Sequence, residues 1–133
     1  MHTTDYRNTF IQVSPDTKAV EGVVPQKPGT VAAMQYERLS AAPYATTSDD
    51  LLFDVHAQRS GVEPDERDAA RETFFSKGQP CLRSSPLVKS HGWGVHFDAA
   101  GRIGLHAAGS ADYAALAARS DLVQLKGMRT SRA

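Results

Sequence analysis

One β-hairpin constrains the fold of this chain more than any other feature. Residues 93–97 and 103–107 each alternate apolar side chains with glycine or histidine, and Ala99-Ala100-Gly101 separates them. This period of two is typical of half-buried strands. A three-residue loop with Gly101 in the left-handed conformation pairs the apolar residues as Phe97 with Ile103, Val95 with Leu105 and Trp93 with Ala107. A two-residue loop would set apolar residues opposite polar ones, so the pattern predicts a single register.

Helix-start signals occur on both sides of the hairpin. Thr30 is placed to cap a helix that runs to about Ala41, and Ser48 to cap a second helix that ends at Gly61. Pro64 is suited to the first turn of a third helix, and Ser110 to the cap of a fourth that runs to about Arg119. Asp49 and Asp50 then fall in the first turn of the second helix, where negative charge favours the helix dipole. The sequence therefore predicts about four helices.

The remaining segments complete an α+β prediction. Residues 9–13 and 122–125 are predicted to form the first and last strands, and residues 14–29, with three prolines, a loop. The order β-α-α-α-β-β-α-β indicates one compact domain over residues 1–133, with a mostly antiparallel sheet and a central hairpin. Residues 126–133 are expected to form a partly ordered, basic C-terminal tail.

Composition excludes several classes of protein. The chain has 133 residues, zero formal net charge and one cysteine. The lone cysteine cannot form an intramolecular disulfide or a multi-cysteine zinc site. No basic segment followed by an apolar run begins the chain, and no apolar run is long enough to span a bilayer. We expect a cytoplasmic protein with no membrane partner and no cofactor, as a monomer or a homodimer.

Several short motifs are distinctive: Asn8-Thr9-Phe10-Ile11, Tyr44 to Asp50 with Thr47-Ser48-Asp49-Asp50, Phe74-Phe75-Ser76-Lys77-Gly78-Gln79-Pro80-Cys81-Leu82-Arg83, Ser85-Pro86-Leu87, Gly92-Trp93-Gly94 and Met128-Arg129. Together these motifs resemble a known family of small, mainly bacterial proteins that is described only as a domain of unknown function. They extend over nearly the whole chain. The resemblance implies a single-domain protein, and it brings no activity, ligand or catalytic residue with it.

The segment 79–93 is the strongest candidate for a binding site. Arg83, Ser84 and Ser85 lie between two prolines, with Lys89 just beyond. A guanidinium group, two hydroxyls and exposed backbone N–H groups can hold a phosphate or a carboxylate. Neither a Walker loop nor a dinucleotide-binding fingerprint is present. The alternative is a structural loop in which the arginine pairs with a carboxylate and the serines cap turns.

Cysteine and histidine residues give further candidates. Cys81 has Lys77, Arg83 and His91 nearby in sequence, so a reactive thiolate with His91 or His56 as its base is one hypothesis, and a buried structural thiol is the other. His96 and His106 face glycines across the hairpin and border a gap that a helix, a ligand or solvent could fill. Because no three- or four-ligand pattern is present, we expect no metal site.

These residues lead to three hypotheses about function. The first is a non-catalytic protein that binds a small anionic ligand, or an acidic partner, through the 79–93 loop and the histidine face. The second is a small enzyme that uses Cys81 or His91. The third is nucleic-acid binding through Lys126, Arg129 and Arg132, against which the zero net charge argues.

Overall fold

The computed structural model describes residues 2–130, and in this range the chain forms five α-helices and four strands. The helices are α1 (Val31–Ala41), α2 (Ser48–Ser60), α3 (Arg67–Phe74), α4 (Pro86–Lys89) and α5 (Ala111–Ala117). The strands are β1 (Thr9–Gln12), β2 (Trp93–Phe97), β3 (Ile103–Ala107) and β4 (Val123–Lys126). Two 3₁₀ turns, Pro64–Glu66 and Leu82–Ser84, precede α3 and α4.

The four strands form one mixed sheet in the order β3-β2-β1-β4. The pairs β1–β2 and β2–β3 are antiparallel, and β1–β4 is parallel. The hairpin has the predicted register, from Trp93 opposite Ala107 to Phe97 opposite Ile103, and Gly101 is left-handed with a φ of 78°. The α+β class and the mostly antiparallel sheet are confirmed. The hairpin makes up one side of the sheet, with β3 at its edge.

Apolar side chains cover both faces of the sheet because successive strand residues point to opposite sides. Ile11 belongs to the larger core, which packs the sheet against α1, α2 and the residues around α4. Phe10, its neighbour in β1, packs on the opposite face with Leu116 of α5 and with Leu122. A satellite cluster around Phe53 joins α2 to α3. The sheet therefore lies between one helical layer and α5.

The helix starts agree with the sequence patterns at α1 and α5 but not at α2, and Pro64 begins the 3₁₀ turn before α3 rather than α3 itself. The Thr30 and Ser110 side chains cap α1 and α5 as predicted. The prediction that Ser48 caps α2 is wrong: Thr47 Oγ1 accepts the N–H of Asp50, and Ser48 is the first helical residue. Ser48 is fully buried, and its hydroxyl pairs with that of Thr4 at 2.8 Å. Thr47 has an extended backbone and therefore occupies the cap position, whereas Ser48 lies inside the helix.

The 79–93 segment is more ordered than the predicted loop. The Leu82–Ser84 turn leads directly into α4, a helix that the sequence patterns did not predict. Ser85 is the N-cap of α4, accepting the N–H of Leu87, and Pro86 occupies the first helical position. Serine at the cap followed by proline is a favourable start for a helix. With α4, the described chain has five α-helices rather than the four predicted.

The chain after β4 is attached to the domain as far as Thr130. The N–H of Gly127 donates to the carbonyl of Gln12, and that of Met128 donates to the carbonyl of Arg83. Thr130 donates to the carboxylate of Asp16 through its N–H and its hydroxyl. Residues 131–133 of the predicted tail, with Arg132, lie outside the described residues.

Candidate functional site

A cleft of about 270 Å³ lies between α1, α2 and residues 79–86; we call it the α1–α2 cleft. Its apolar lining consists of Val31, Leu52, Val55, Phe74, Pro80, Leu82 and Pro86. Its polar lining consists of Gln35, His56, Arg59, Ser60, Gln79, Cys81, Ser84 and Ser85. A cleft that combines apolar side chains with polar groups able to orient a ligand is the usual form of a small-molecule site.

Ser85 lines this cleft but acts as a positioning group. The residue is 5% exposed, and its hydroxyl oxygen accepts the N–H of Leu87 at 3.2 Å. The same hydroxyl donates to Gln35 Oε1 at 2.6 Å. If the Gln35 amide were turned over, Ser85 would receive two donors and its own buried hydrogen would have no acceptor. The Ser85 hydroxyl therefore fixes the orientation of the Gln35 side chain.

Gln35 presents two unused hydrogen-bond donors to the cleft. The residue is 2% exposed, and with Oε1 bound to Ser85 its Nε2 has no partner among residues 2–130. No fully enclosed side-chain nitrogen or oxygen in this range lacks a partner, so Nε2 must be reachable from the cleft. An acceptor bound in the cleft would satisfy it.

An arginine and a histidine border the same cleft. Arg59, in the last turn of α2, is exposed and forms no ion pair within the described chain. His56, one turn earlier, is also exposed and packs against the ring of Phe74, with the two centroids 4.7 Å apart. The cleft thus combines an apolar body with amide donors and an arginine at its rim.

Cys81 lies in this cleft and is paired with a tyrosine. The hydroxyl of Tyr6 donates to Cys81 Sγ at 3.3 Å, and this bond raises the pKa of Tyr6. His56 lines the same cleft, whereas His91 does not. His91 Nδ1 contacts the carbonyl of Pro86 at 3.0 Å and Ser90 Oγ at 3.1 Å. Cys81 and His56 therefore line the same cleft, whereas His91 lies outside it in a loop contact.

Arg83 points away from the α1–α2 cleft. Its Nε donates to the carbonyl of Lys126 at 2.7 Å. It lines an open notch of about 550 Å³ with Lys126 and Arg129, which we call the C-terminal notch. Ser84 is exposed and lines the α1–α2 cleft, and Lys89 is half-buried at the end of α4. The four predicted anion contacts, Arg83, Ser84, Ser85 and Lys89, therefore do not converge on one point.

His96 and His106 are joined by a tyrosine. The Tyr44 hydroxyl lies 2.8 Å from His96 Nδ1 and 2.8 Å from His106 Nε2. Burial raises the pKa of Tyr44, and burial lowers the pKa of His96 and of His106, His96 being lowered further by its histidine neighbour. Because Tyr44 has one hydroxyl hydrogen, it donates to one histidine and accepts from the other.

Aromatic rings occupy the gap expected beside these histidines. A Cβ on Gly104 would come within 2.5 Å of the Tyr44 ring. A Cβ on Gly94 would come within 2.6 Å of Phe10 and 2.8 Å of Tyr113. Both glycines are therefore required for close approach of a ring to the strand.

The residues that sequence reasoning missed are Gln35, Arg59 and Tyr44. Gln35 lies within a helix, where a glutamine ordinarily faces solvent, and only its contact with Ser85 identifies it. Arg59 is exposed in the last turn of α2, where an arginine is ordinarily a solvated surface residue. Tyr44 has a positive φ of 57°, which marks a special position that a sequence does not display.

The part of the chain that the structure describes contains neither a metal-binding cluster nor a membrane-spanning helix. Between residues 2 and 130, no group of three or more His, Cys, Asp or Glu side chains is placed to hold a metal ion. In the same range, no helix has both the length and the apolar character needed to cross a membrane.

Comparisons with known proteins place the chain in one family. No curated protein and no solved structure matches it. A family model does match, over residues 1–133, and it confirms the resemblance that the sequence motifs indicate. The chain belongs to DUF6157, a family of unknown function.

Proposed function

We propose that this protein binds a small carboxylate with an apolar body in the α1–α2 cleft, without catalysis. The apolar part of the ligand would contact Val55 and Leu82, and the carboxylate would accept from Gln35 Nε2 and face Arg59. The ligand is anionic, as the sequence predicts, and Ser84 would contact it at the rim of the cleft. Arg59 would supply the positive charge that the sequence analysis assigned to Arg83, and Ser85 would position Gln35 rather than contact the ligand.

The observation that carries this proposal is the unpartnered amide of Gln35. Gln35 is 2% exposed, lines the cleft and has its oxygen held by Ser85, so its two N–H groups are directed donors with nothing to bind. Donors of this kind select an acceptor, such as a carboxylate or a carbonyl oxygen. A charged acceptor is favoured because hydrogen bonds that involve an ionised group are roughly twice as strong as neutral ones.

Arg59 supports the choice of an anion. Its guanidinium forms no ion pair within residues 2–130, and no acidic side chain lines the α1–α2 cleft. A volume of about 270 Å³ suits a small ligand. Seven of the fifteen lining residues are apolar, so a bare inorganic anion would leave the apolar part of the cleft unfilled.

Calorimetric titration with hexanoate tests this proposal, with hexanol as the uncharged control ligand. Arg59→Gln should weaken hexanoate binding about fivefold, the effect of losing an ionic contact of about 1 kcal/mol, and should leave hexanol unchanged. Arg102→Gln, an exposed arginine outside the cleft, is the matched control. Equal affinities for hexanoate in the three proteins would remove the anionic part of the proposal.

A second candidate is an enzyme that uses Cys81, favoured by its position with His56 in one cleft. Thiol labelling at mildly acidic pH tests it, because only a stabilised thiolate reacts quickly there. Slow labelling that His56→Gln leaves unchanged would argue against a catalytic pair.

The cellular setting and a macromolecular partner are two further parts of the proposal. A cytoplasmic, bacterial setting is supported by the lone cysteine and by the family resemblance. An acidic partner, or weakly bound nucleic acid, would find Arg83, Lys126 and Arg129 at the C-terminal notch.

A further inference from the structure

A second cleft, of about 330 Å³, runs along the outer edge of β3; we call it the β3-edge cleft. Three aromatic residues line it: Tyr36, Tyr44 and Trp93. The rings of Tyr36 and Trp93 are in contact, with centroids 5.3 Å apart. Leu105 and His106 form its β3 side. This cleft shares no lining residue with the α1–α2 cleft.

The backbone of Leu105 is open at this edge. In an antiparallel pair, hydrogen-bonded and non-hydrogen-bonded residue pairs alternate. The N–H of Asp98 donates to the carbonyl of Arg102, and the N–H of Ala108 donates to that of Gly92, so these two pairs are hydrogen-bonded. Leu105 and Val95 therefore form a non-hydrogen-bonded pair, and Leu105 directs its N–H and C=O outward. Neither group has a partner among residues 2–130.

Three of the four outward-facing groups on either side of Leu105 are already used, and the exception is the N–H of Ala107. Ile103 donates to the carbonyl of Thr46 and accepts the N–H of Tyr44. The carbonyl of Ala107 accepts the N–H and the hydroxyl of Ser110. Within the described chain, Leu105 is therefore the residue of β3 whose donor and acceptor are both open, with the N–H of Ala107 as one further donor. An added β-strand would need a row of such pairs, so a small molecule is the better occupant.

The imidazole of His106 borders the same cleft. His106 Nε2 is bound to Tyr44, and its Nδ1 has no partner within the described chain. When the Tyr44 hydroxyl accepts from His106, Nε2 carries the hydrogen and Nδ1 is an acceptor. When the hydroxyl donates to His106, Nδ1 carries the hydrogen and is a donor. The imidazole can therefore match a donor or an acceptor on a ligand by reversing the His96–Tyr44–His106 chain.

We propose that the β3-edge cleft binds a small planar heterocycle that carries a neighbouring N–H and C=O. The ring would lie against the aromatic side chains, its N–H would donate to the carbonyl of Leu105, and its C=O would accept the N–H of Leu105. His106 Nδ1 would contact a further polar atom of the ring. Aromatic stacking with two backbone hydrogen bonds describes an amide-containing heterocycle rather than an aliphatic or purely ionic ligand.

NMR titration with uracil tests this proposal. Uracil should shift the backbone amide signal of Leu105 downfield, and N,N′-dimethyluracil, which keeps the ring but lacks N–H donors, should bind at least about tenfold more weakly. Ser40→Tyr should abolish the shift, because Ser40 is an exposed residue that lines this cleft. Ser120→Tyr, at an exposed position outside it, is the control.

Three results would overturn the proposal. They are no movement of the Leu105 amide at millimolar uracil, equal affinity for the two heterocycles, and an undiminished response in a folded Ser40→Tyr protein. The hexanoate experiment involves different residues, so its outcome is independent of this one.

Discussion

Replacing Ser85 with alanine should destabilise the protein far more than the same change at Ser84. Ser85 is 5% exposed and makes two side-chain hydrogen bonds, one to the N–H of Leu87 and one to Gln35 Oε1. Ser84 is exposed, and its hydroxyl has no partner among residues 2–130. These adjacent residues, equivalent in the sequence analysis, thus form a matched pair.

The magnitude follows from the two lost contacts. Loss of an N-cap hydroxyl costs about 0.5–2 kcal/mol. Leaving the buried Gln35 oxygen without a donor costs about 1–3 kcal/mol. Since the two effects share one hydroxyl, we expect a loss of about 2–4 kcal/mol in the free energy of unfolding. For a chain of this length, about 4 °C per kcal/mol gives a fall in Tm of about 8–16 °C. Ser84→Ala should lie within about 0.5 kcal/mol of the parent.

Urea unfolding followed by circular dichroism, with thermal melts of the same samples, measures both variants. The m-value should stay unchanged, because the native fold and the surface that it buries are retained. Equal stability of the Ser85 and Ser84 variants would refute the inference that Ser85 orients Gln35. It would also return Ser85 to the set of possible ligand contacts.

Three further predictions concern the hairpin face. Tyr44→Phe removes both bonds to the histidines and should cost about 1–2 kcal/mol in urea unfolding, the histidines being able to rehydrate; an unchanged midpoint would contradict this. Gly104→Ala should cost about 1–3 kcal/mol, because its Cβ would collide with the Tyr44 ring; a neutral effect would show that the ring can move aside. The pKa values of His96 and His106 are lowered in the folded state, so the unfolded chain binds more protons as the pH falls below the ordinary histidine value of 6.5. The free energy of unfolding should therefore decrease from neutral pH to about pH 5, and the paired His96→Gln and His106→Gln changes should flatten this decrease; an equally steep decrease in that variant would exclude the histidines as its cause.

The hairpin was predictable because its determinants are local. Alternation along 93–97 and 103–107, together with a glycine able to adopt positive φ, allows one pairing, and the structure has it. The predicted cap of α2 was wrong by one residue because Thr47 and Ser48 both carry a suitable hydroxyl. Ser48 instead binds Thr4, which is more than forty positions away in the sequence. A local sequence pattern cannot predict that contact.

The candidate site was only partly predictable, for the same reason. The sequence directed attention to residues 79–93, and part of this segment does line the α1–α2 cleft. Grouping Arg83 with Ser84 and Ser85 assumed an open loop, whereas a 3₁₀ turn points these side chains in different directions. Gln35 and Arg59 join the cleft only through the packing of α1 and α2 against residues 79–86. Pairings of that kind depend on tertiary structure rather than on residue type.

The side-chain amide signals of Gln35, recorded by NMR during a hexanoate titration, test the central claim most directly. The account predicts that the two Nε2 protons shift strongly and in step with the methyl groups of Val55, because the carboxylate and the apolar chain enter one cleft. It also predicts little change at Arg83 and Arg129, which line the C-terminal notch. Shifts confined to that notch, or no shift at Gln35 at saturating hexanoate, would contradict the account.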